Sequence, residues 1–314
     1  MITEWATQTQ KNESGKGTQS IWRRRLRRVG VFELIVGVGV LIYFLMTILP
    51  LFMAFSFSFT NQNILYKTSE FVNIQNYIDL ISDTNFTRSL FFTARMSVLV
   101  TLAANIGGLL VALMLNHPGR YYTILRTIFF IPQVLSAVIV SFIWKIILVD
   151  RGLLNILLHK LGLIEKNIHW LGDPKIAFYS VVLVVTWQLI GFCTVIYLAS
   201  LQSIPKDLLE AAQIDGANRW QQFRNVTWPL LAPGVTVNMV LLLIITFKLY
   251  DQVAVLTGGG PGFRTETLSY YIIRVAFSNN QLGYASAIAV ILFMITAVIS
   301  AVVVTGLKKR EVDY

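Results

Sequence analysis

Long apolar runs alternate with shorter polar stretches along this 314-residue chain. A hydrocarbon core about 30 Å thick requires roughly 20 apolar residues of helix, and six runs reach that length. They are residues 31–57, 89–115, 127–149, 176–200, 234–256 and 282–307. Strands of a membrane barrel would be about half as long and would alternate in polarity. The pattern therefore predicts an all-α integral membrane protein with six transmembrane helices.

Composition supports this class. The chain is 55% hydrophobic and 13% charged, and its mean hydropathy of +0.64 is higher than a water-soluble domain tolerates. A net charge of +10 could suggest nucleic acid as a partner, but the basic residues lie in short clusters beside the apolar runs. The lone Cys193 and three scattered histidines predict no disulfide and no metal site. The lipid bilayer is the expected surrounding, and we expect no nucleic acid partner.

The distribution of Lys and Arg predicts the orientation of the chain. Fifteen lie in one set of alternating segments and eight in the other. By the positive-inside rule, both termini and the polar loop 202–233 are expected in the cytoplasm. The tail 1–30 is basic and has little to bury, so we expect it to be partly disordered, with its Arg23–Arg28 cluster serving as a topology anchor. Residues 308–314 are expected to form a short cytoplasmic C-terminal tail.

Two amphipathic stretches lie in segments that the same count places outside the cell. Residues 71–81 and 153–164 carry apolar positions at helical spacing and predict short surface helices. They could receive a partner protein or merely cover the helix bundle, and the pattern leaves both readings open.

The polar loop 202–233, between the fourth and fifth runs, has the sequence signals of two short helices. Pro205 suits a first helical turn, Glu210 favours the positive end of the helix dipole, and Gly216 is a natural stop. These residues predict a helix of about three turns. A second short helix is predicted over Asn218–Val226.

The first of these loop helices has a face suited to close contact. Ala211 and Ala212 remove side-chain bulk, while Leu208, Leu209 and Ile214 offer apolar surface. Such a helix can lie in a groove of another protein. It can equally be an amphipathic connector at the lipid interface, and the pattern alone does not separate the two.

The motifs on both flanks resemble a known family. Glu210-Ala211-Ala212 and Asp215-Gly216-Ala217 are similar to the EAA loop of permease subunits of binding-protein-dependent ABC importers. The stretches Tyr250–Val253, Leu256–Gly262 and Thr265–Thr267 resemble the branch that includes maltose and glycerol-3-phosphate permeases. Further likenesses occur at Phe71–Tyr77, Phe129–Pro132, Trp170–Pro174, Leu201–Pro205 and Leu282–Ala287. The resemblance runs from about Arg23 to the C-terminus.

The resemblance implies a transport subunit that performs no covalent chemistry. A second homologous permease, two ABC ATPase subunits and an extracytoplasmic solute-binding protein would complete the importer in a bacterial or archaeal plasma membrane. ATP and Mg would be bound by the ATPase, and this chain would hold no cofactor. The EAA helix would carry the ATPase motion to the transmembrane helices. Its expected coupling residues are Glu210, Ala211, Ala212, Asp215, Gly216 and Arg219.

A sugar pathway requires aromatic faces beside polar groups. Residues of this type lie in the fourth and fifth runs, and the resemblance aligns several of them with the sugar-contacting wall of the maltose branch. The candidates are Trp187, Gln188, Phe192, Thr246, Leu249, Tyr250 and Asp251. Packing or interfacial anchoring is the competing explanation for the aromatic residues.

Some charged residues lie within or close to apolar runs, among them Lys248, Asp251 and Arg95. Lys248 and Asp251 are spaced to form an ion pair, although contact with solute is the alternative. Arg95 is expected to snorkel toward the membrane surface as an anchor.

Two other function classes compete with the ABC importer. An ion-coupled secondary transporter of a small polar solute should show midplane carboxylates, and Asp251 is the one candidate. A membrane-embedded enzyme needs clustered catalytic groups at membrane depth, which the sequence does not show. The identity of the solute, a sugar or a polyol, is not readable from the sequence.

Overall fold

The computed structural model describes residues 32–65 and 69–309. The predicted N-terminal tail 1–30, with its basic cluster, and residues 310–314 of the C-terminal tail lie outside the described residues. Within the described ranges the regular elements are helices, accompanied by isolated β-bridges such as Thr60 with Phe71. The predicted all-α class is confirmed.

Thirteen helices are numbered here in chain order over the described residues. α1 and α9 contain π-helical stretches at Phe44–Ile48 and Phe223–Thr227, and a third, Arg274–Ser278, continues α12. The helices are α1 (Phe32–Phe57), α2 (Gln75–Ser82), α3 (Thr84–Leu115), α4 (Arg120–Val134), α5 (Ala137–Leu148), α6 (Leu153–Lys160), α7 (Pro174–Gln202), α8 (Lys206–Ile214), α9 (Arg219–Leu230), α10 (Ala232–Phe247), α11 (Asp251–Leu256), α12 (Leu268–Ile273) and α13 (Leu282–Lys308).

The described chain divides into two units after Ser56. In its described part the first unit is an apolar helix, which forms nearly all of α1. The second unit contains all the other helices. In the described residues, α1, α3, α7 and α13 are each long and apolar enough to cross a membrane, and two bent helix pairs bring the number of candidate spans to six.

Aspartate caps set the starts of α3 and α7. The Asp83 carboxylate accepts hydrogen bonds from the N–H groups of Asn85 (2.8 Å) and Phe86 (3.3 Å). Asp173 caps α7 in the same way, with Pro174 in the first turn. Capping satisfies N–H groups that the helix itself leaves unbonded. Both helices therefore begin a few residues before the apolar runs from which they were predicted.

Helices α3 and α7 pack along each other through an apolar core. Met96 and Val100 of α3 and Val181 and Val185 of α7 are fully buried there. α10 packs on both α3 and α13, α4 packs on α7, and α11 packs on α5. Polar contacts also lie inside this core, such as the hydrogen bond that the Tyr197 hydroxyl donates to the Asn105 side-chain oxygen at 2.7 Å.

The third apolar run is not the continuous helix that was predicted. Helix α4 and the segment Ala137–Lys160, which contains α5 and α6, form a pair bent by 94°. Pro132 lies just before the bend and cannot donate a backbone hydrogen bond. Gly191 of α7 also lets the Phe129 backbone approach closely, since a Cβ atom at Gly191 would lie 2.3 Å from the Phe129 oxygen. A proline and a close helix contact therefore bend a run whose hydropathy is continuous.

The fifth run is also broken. α10 ends at Phe247, and α11 starts at Asp251 after an irregular turn. The Leu249 carbonyl, freed by this break, accepts a hydrogen bond from the Thr267 hydroxyl at 2.8 Å. At its other end, α10 follows α9 with a bend of 60°. Buried carbonyl groups require partners, so Thr267 stabilises the break from a distant part of the chain.

The predicted surface helices are present as α2 and α6, somewhat shorter than the patterns suggested. Asn155 anchors α6, because its amide donates to the carbonyls of Asp150 (3.0 Å) and Ile168 (2.9 Å). The same side chain accepts a hydrogen bond from the Trp170 indole at 3.0 Å.

Candidate functional site

The first loop helix, α8, has a defined start and end. Pro205 directly precedes it with extended backbone angles (φ −57°, ψ 129°). The proline therefore occupies the N-cap position, and the prediction that it lies in the first helical turn was wrong. Beyond the end of α8, Gly216 adopts φ +80°, a left-handed conformation that favours glycine. The Ala217 N–H then donates to the Ala212 carbonyl at 2.9 Å, as in a Schellman cap. Gly216 therefore ends the helix where the sequence predicted.

One face of α8 is anchored and the opposite face is open. Leu209 packs against the main core, and Ile204 just before the helix is buried. Glu210 and Ala211 are exposed, and Ile214 is 87% exposed. The exposed face of α8 is therefore left open within the described chain.

A side-chain cap joins α8 to α9. Asn218 and Gln221 form a reciprocal capping box, in which each side chain accepts from the other residue's N–H at 2.9 and 2.8 Å. The Gln222 amide also donates to the Ala217 carbonyl at 2.8 Å. These short-range bonds fix the turn that contains Asp215 and Gly216. The predicted coupling residues Asp215 and Arg219 are both exposed beside it.

Aromatic residues extend the open surface onto α9. Trp220 is 66% exposed and stacks on Phe223 with ring centroids 5.7 Å apart. Phe223 in turn contacts Trp228 at 6.2 Å. Arg219 adds a positive charge beside these rings. The loop 202–233 therefore presents an apolar surface bordered by both acidic and basic side chains.

Among the predicted pathway residues, Gln188 occupies the most connected position. Its amide donates to the Leu135 carbonyl at 3.2 Å, next to the bend between α4 and α5. Its side-chain oxygen accepts from the Gln252 amide at 3.1 Å, just after the break between α10 and α11. One buried glutamine therefore connects α7 to both broken runs. Gln252 was missed as a site residue, although it lies in the quoted Tyr250–Val253 motif.

The two aromatic candidates on α7 have different surroundings. Trp187 is 41% exposed and lies edge-on to Trp144, with ring centroids 5.5 Å apart. Phe192 is half-buried against the main core. Packing accounts for Phe192, whereas Trp187 keeps an accessible ring face.

The candidates on the fifth run are mostly covered within this chain. Thr246 is buried and donates to the Leu242 carbonyl of its own helix at 2.7 Å, and Leu249 is buried in the core. Tyr250 stacks on Tyr270 with centroids 5.7 Å apart. Asp251 is exposed at the start of α11. The assignment of these residues to a solute pathway stays a prediction.

The predicted ion pair between Lys248 and Asp251 is absent. Within the described ranges, the ion pairs closer than 4.0 Å are Arg274 with Glu266 and His169 with Asp150. Lys248 lies at the irregular end of α10, where the break changes the helical spacing on which the prediction depended. Both side chains are exposed instead.

A buried ion pair, which sequence reasoning missed, lies at the far end of the bundle from the loop 202–233. Glu266 is 1% exposed and accepts two hydrogen bonds from the Arg274 guanidinium, at 2.7 and 3.0 Å. The guanidinium also lies over the rings of Phe263 (4.3 Å) and Tyr271 (5.0 Å). Glu266 stands in the Thr265–Thr267 motif, which was noted for its resemblance but not for its charge.

Asp83 is a second polar centre at the same end. It accepts hydrogen bonds from the hydroxyls of Tyr271 and Tyr284 while it caps α3. Burial of Asp83 opposes its ionisation, but these hydrogen bonds and those from the Asn85 and Phe86 N–H groups outweigh that effect. The pKa of Asp83 therefore lies below its ordinary value. Burial and the hydrogen bond to Asp83 raise the pKa of Tyr271 above its ordinary value.

Residues 104–312 match the family described as binding-protein-dependent transport system inner membrane component. A relative from Thermoanaerobacterium thermosulfurigenes, named "Probable starch degradation products transport system permease protein AmyD", is 36% identical over 282 residues, which cover 90% of this chain and 95% of the relative. The multiple sugar-binding transport system permease protein MsmF of Streptococcus mutans is 35% identical over 263 residues, or 84% of this chain and 90% of that protein. The trehalose/maltose transport system permease protein MalF of Thermococcus litoralis is 34% identical over 249 residues, or 79% and 83%.

Solved structures show the same fold. A chain of a bacterial ABC transporter that imports the acidic polysaccharide alginate superposes with a TM-score of 0.79 at 23% identity, covering 91% of this chain and 98% of that one. A methionine ABC transporter chain gives a TM-score of 0.52 at 18% identity, covering 73% and 97%. Both likenesses extend over nearly the whole of the solved chains.

Proposed function

This chain belongs to the family of inner membrane components of binding-protein-dependent transport systems, and on that premise we propose that it moves a sugar or related polyhydroxylated solute into the cytoplasm. The resemblance drawn from the sequence is confirmed, and the chain is a transport permease subunit of an ABC importer. This family membership counts against the secondary transporter and the membrane enzyme as alternatives. Sugar as the solute class is supported by relatives whose names specify starch products, multiple sugars and trehalose or maltose.

The open face of α8 is the observation that carries the coupling part of the proposal. Glu210 and Ile214 are exposed on a helix that Leu209 anchors to the core and that Gly216 ends. A short helix held in this way can lie in a cleft of an ATPase subunit and transmit its movement to α7 and α10. Ala211 and Ala212 permit close approach, Asp215 and Arg219 supply charges beside the contact, and Glu210 would meet basic groups.

The partners follow from the same mechanism. Two ATPase subunits would bind ATP and Mg, so this chain requires no cofactor of its own. A second homologous permease would complete the pathway, and an extracytoplasmic binding protein would deliver the solute. A solved alginate transporter with this fold is in complex with a pentasaccharide-bound periplasmic protein, which supports the last of these partners.

The orientation of the chain is part of the proposal. The loop 202–233 and both termini would face the cytoplasm of a bacterial or archaeal cell, as the Lys and Arg distribution favours. In the solute pathway, Trp187 would supply an aromatic face and Asp251 a hydrogen-bond acceptor. Gln188, Phe192, Thr246, Leu249 and Tyr250 would form the wall between and behind them.

Substitution of Gly216 by proline tests the coupling claim, with Gly162 as a matched control. Both glycines have positive φ (80° and 68°), open space around the missing Cβ, and an N–H bonded to a backbone carbonyl at 3.0 Å. Proline is incompatible with either position, so the local strain is alike. In vesicles reconstituted with all partner proteins, Gly216→Pro should lower solute-stimulated ATP hydrolysis by roughly tenfold or more, whereas Gly162→Pro should not.

Two results would contradict this proposal. Normal stimulated hydrolysis in Gly216→Pro would remove α8 from the coupling path. Solute uptake that continues without ATP, or without an ATPase subunit, would overturn ATP-driven import altogether.

A further inference from the structure

A basic groove lies between the N-terminal half of α3 and the first turns of α7, at the opposite end of α7 from the loop 202–233. Its cavity has a volume of about 930 Å³. Its walls carry four basic side chains, Arg88 and Arg95 from α3, Lys175 from α7, and Arg264 from the loop before α12. Neither the coupling mechanism nor the proposed solute pathway uses any of them.

In the described part of the chain, no acidic side chain in the cavity wall balances the positive charge of this basic groove. None of the four basic residues forms an ion pair within the described residues, and the cavity wall contains no Asp or Glu. Arg88 donates a hydrogen bond to the neutral Asn85 side-chain oxygen at 3.4 Å. Four like charges around one cavity repel one another unless an anion lies between them. The groove therefore favours an anionic ligand.

Arg95 places part of the groove beside the membrane-embedded part of α3. The Arg95 residue lies about 16 Å along the axis from the start of α3, at a rise of about 1.5 Å per residue. A charged side chain at such depth usually faces protein, water or an anionic partner. Arg95 was expected to act as an anchor by snorkelling, and the groove gives its guanidinium a place to extend toward the other three charges.

The remaining surface of the groove is apolar. Phe91, Val98 and Leu99 of α3 are each more than 40% exposed beside Tyr179 of α7. Farther along α3, toward its C-terminus, Leu102 and Ile106 continue an exposed apolar stripe. Side-chain amides that could bind the hydroxyl groups of a sugar are not among the cavity residues. The ligand that fits is an amphiphile, with its anionic group at the cations and hydrocarbon along the stripe.

We propose that the basic groove binds one anionic phospholipid, whose phosphate lies among Arg88, Arg95, Lys175 and Arg264. One acyl chain would lie against Phe91, Val98 and Leu99 and continue toward Ile106. Clustered basic side chains between transmembrane helices are well suited to anionic headgroups. This inference does not depend on the sugar or on the ATPase, so it can fail while the proposed function holds.

Native mass spectrometry of the full-length chain in detergent provides the test. Dioleoyl phosphatidylglycerol and dioleoyl phosphatidylcholine are added separately, and the bound lipid is counted. The wild type should retain phosphatidylglycerol in preference. The Arg95→Gln and Lys175→Gln double variant should bind it at least about tenfold more weakly, since each charge near a lipid surface contributes about fivefold. The control pair Arg151→Gln and Lys160→Gln removes two exposed charges away from the groove and should change nothing.

Two further variants keep the test decisive if the double variant misfolds. Arg264→Gln changes an exposed loop residue and should weaken phosphatidylglycerol binding about fivefold. Arg95→Lys keeps the charge and should retain binding. Equal retention of phosphatidylglycerol by wild type and both glutamine variants would overturn the proposal. Displacement of the lipid by trigalacturonate from the wild type would also overturn it, because the groove would then be a site for acidic saccharide.

Discussion

The two ends of the helix bundle differ in how their polar groups are satisfied. In the loop 202–233 the side-chain hydrogen bonds join residues close in sequence, such as Asn218 and Gln221, and large apolar side chains are exposed. At the other end, the cap formed by residues 265–284 and Asp83 buries Glu266 against Arg274 and joins distant residues, such as Tyr284 and Asp83. The cap is complete within one chain, whereas the loop has a surface that a second protein can complete.

The difference has an energetic meaning. A buried charge that loses its partner is costly, so the cap should respond strongly to substitution. An exposed loop held by short-range caps contributes little to global stability but controls the shape that it presents. Substitutions in the cap should therefore mainly lower stability, whereas substitutions in the loop should mainly lower coupling to the ATPase.

The largest expected loss of stability comes from Glu266→Ala. The Arg274 guanidinium would then lie partly buried without its carboxylate, at a cost of about 3–5 kcal/mol. Thermal unfolding of the detergent-purified chain, followed by circular dichroism, measures the loss. Glu165→Ala removes an exposed carboxylate and should change stability by less than about 0.5 kcal/mol.

A double variant sharpens this result. Glu266→Ala with Arg274→Ala should be less destabilised than the sum of the two single variants, because the charge left unpaired is also removed. If Glu266→Ala unfolded at the wild-type temperature, the cap would not depend on this pair.

Asp83→Asn should have the next largest effect. The tyrosine hydroxyls of Tyr271 and Tyr284 would lose a charged acceptor, and the loss for hydrogen bonds to a charged group is about 1.5–3 kcal/mol. The same unfolding measurement applies. Asp79→Asn is the control, because that side chain is exposed and, among the described residues, accepts a side-chain hydrogen bond only from Gln75, one turn earlier on the same helix. Equal stability of the two variants would rule out Asp83 as a centre of the cap.

Acidification should remove the same contribution reversibly. Because the pKa of Asp83 is lower in the folded chain than its ordinary value, its contribution is fully present above about pH 4. It is lost as the pH falls through the folded pKa. A series of unfolding measurements between pH 6 and pH 3 should therefore show a smaller decline for Asp83→Asn than for the wild type. If the stability of the wild type and of Asp83→Asn declined equally, other carboxylates would account for the loss of stability in acid.

The smallest effect on stability is expected at the other end, from Asn218→Ala. Loss of this cap should cost about 1 kcal/mol locally. It should still reduce solute-stimulated ATP hydrolysis, by less than Gly216→Pro does, because the turn at Asp215 loosens. Asn218→Ser keeps a capping oxygen and should restore most of the activity. Unchanged stimulation in Asn218→Ala would mean that the turn needs no cap once the ATPase is bound.

The sequence predicted the bundle well where local signals decide. Run lengths located the helices, and Gly216 marked the end of α8 because its left-handed backbone is a local requirement. The interruptions of the third and fifth runs were not predicted. Pro132 offered a signal for the first, but the second depends on Thr267, which lies 18 residues beyond the carbonyl that it stabilises.

The candidate site shows the same difference between local signals, which the sequence reveals, and long-range contacts, which it does not. The coupling residues were predicted from a contiguous motif that resembles the EAA loop, and the structure places them together on α8, in the turn after it and at the start of α9. The pathway residues were grouped from their chemistry, and the structure places several of them in the core. Gln188 bonds to a carbonyl 53 residues away, and its second partner, Gln252, is 64 residues distant. No local pattern contains such a pairing.

By itself, the sequence determined that this chain is a helical membrane protein with a structured polar loop. Hydropathy and capping act over a few turns of helix, so they can be read residue by residue. Only the tertiary structure decided where the helices break, that Glu266 and Arg274 are buried together, and that four basic residues surround one groove. Those features arise when helices pack, because a charge or a carbonyl that leaves water must find its partner wherever the fold provides one.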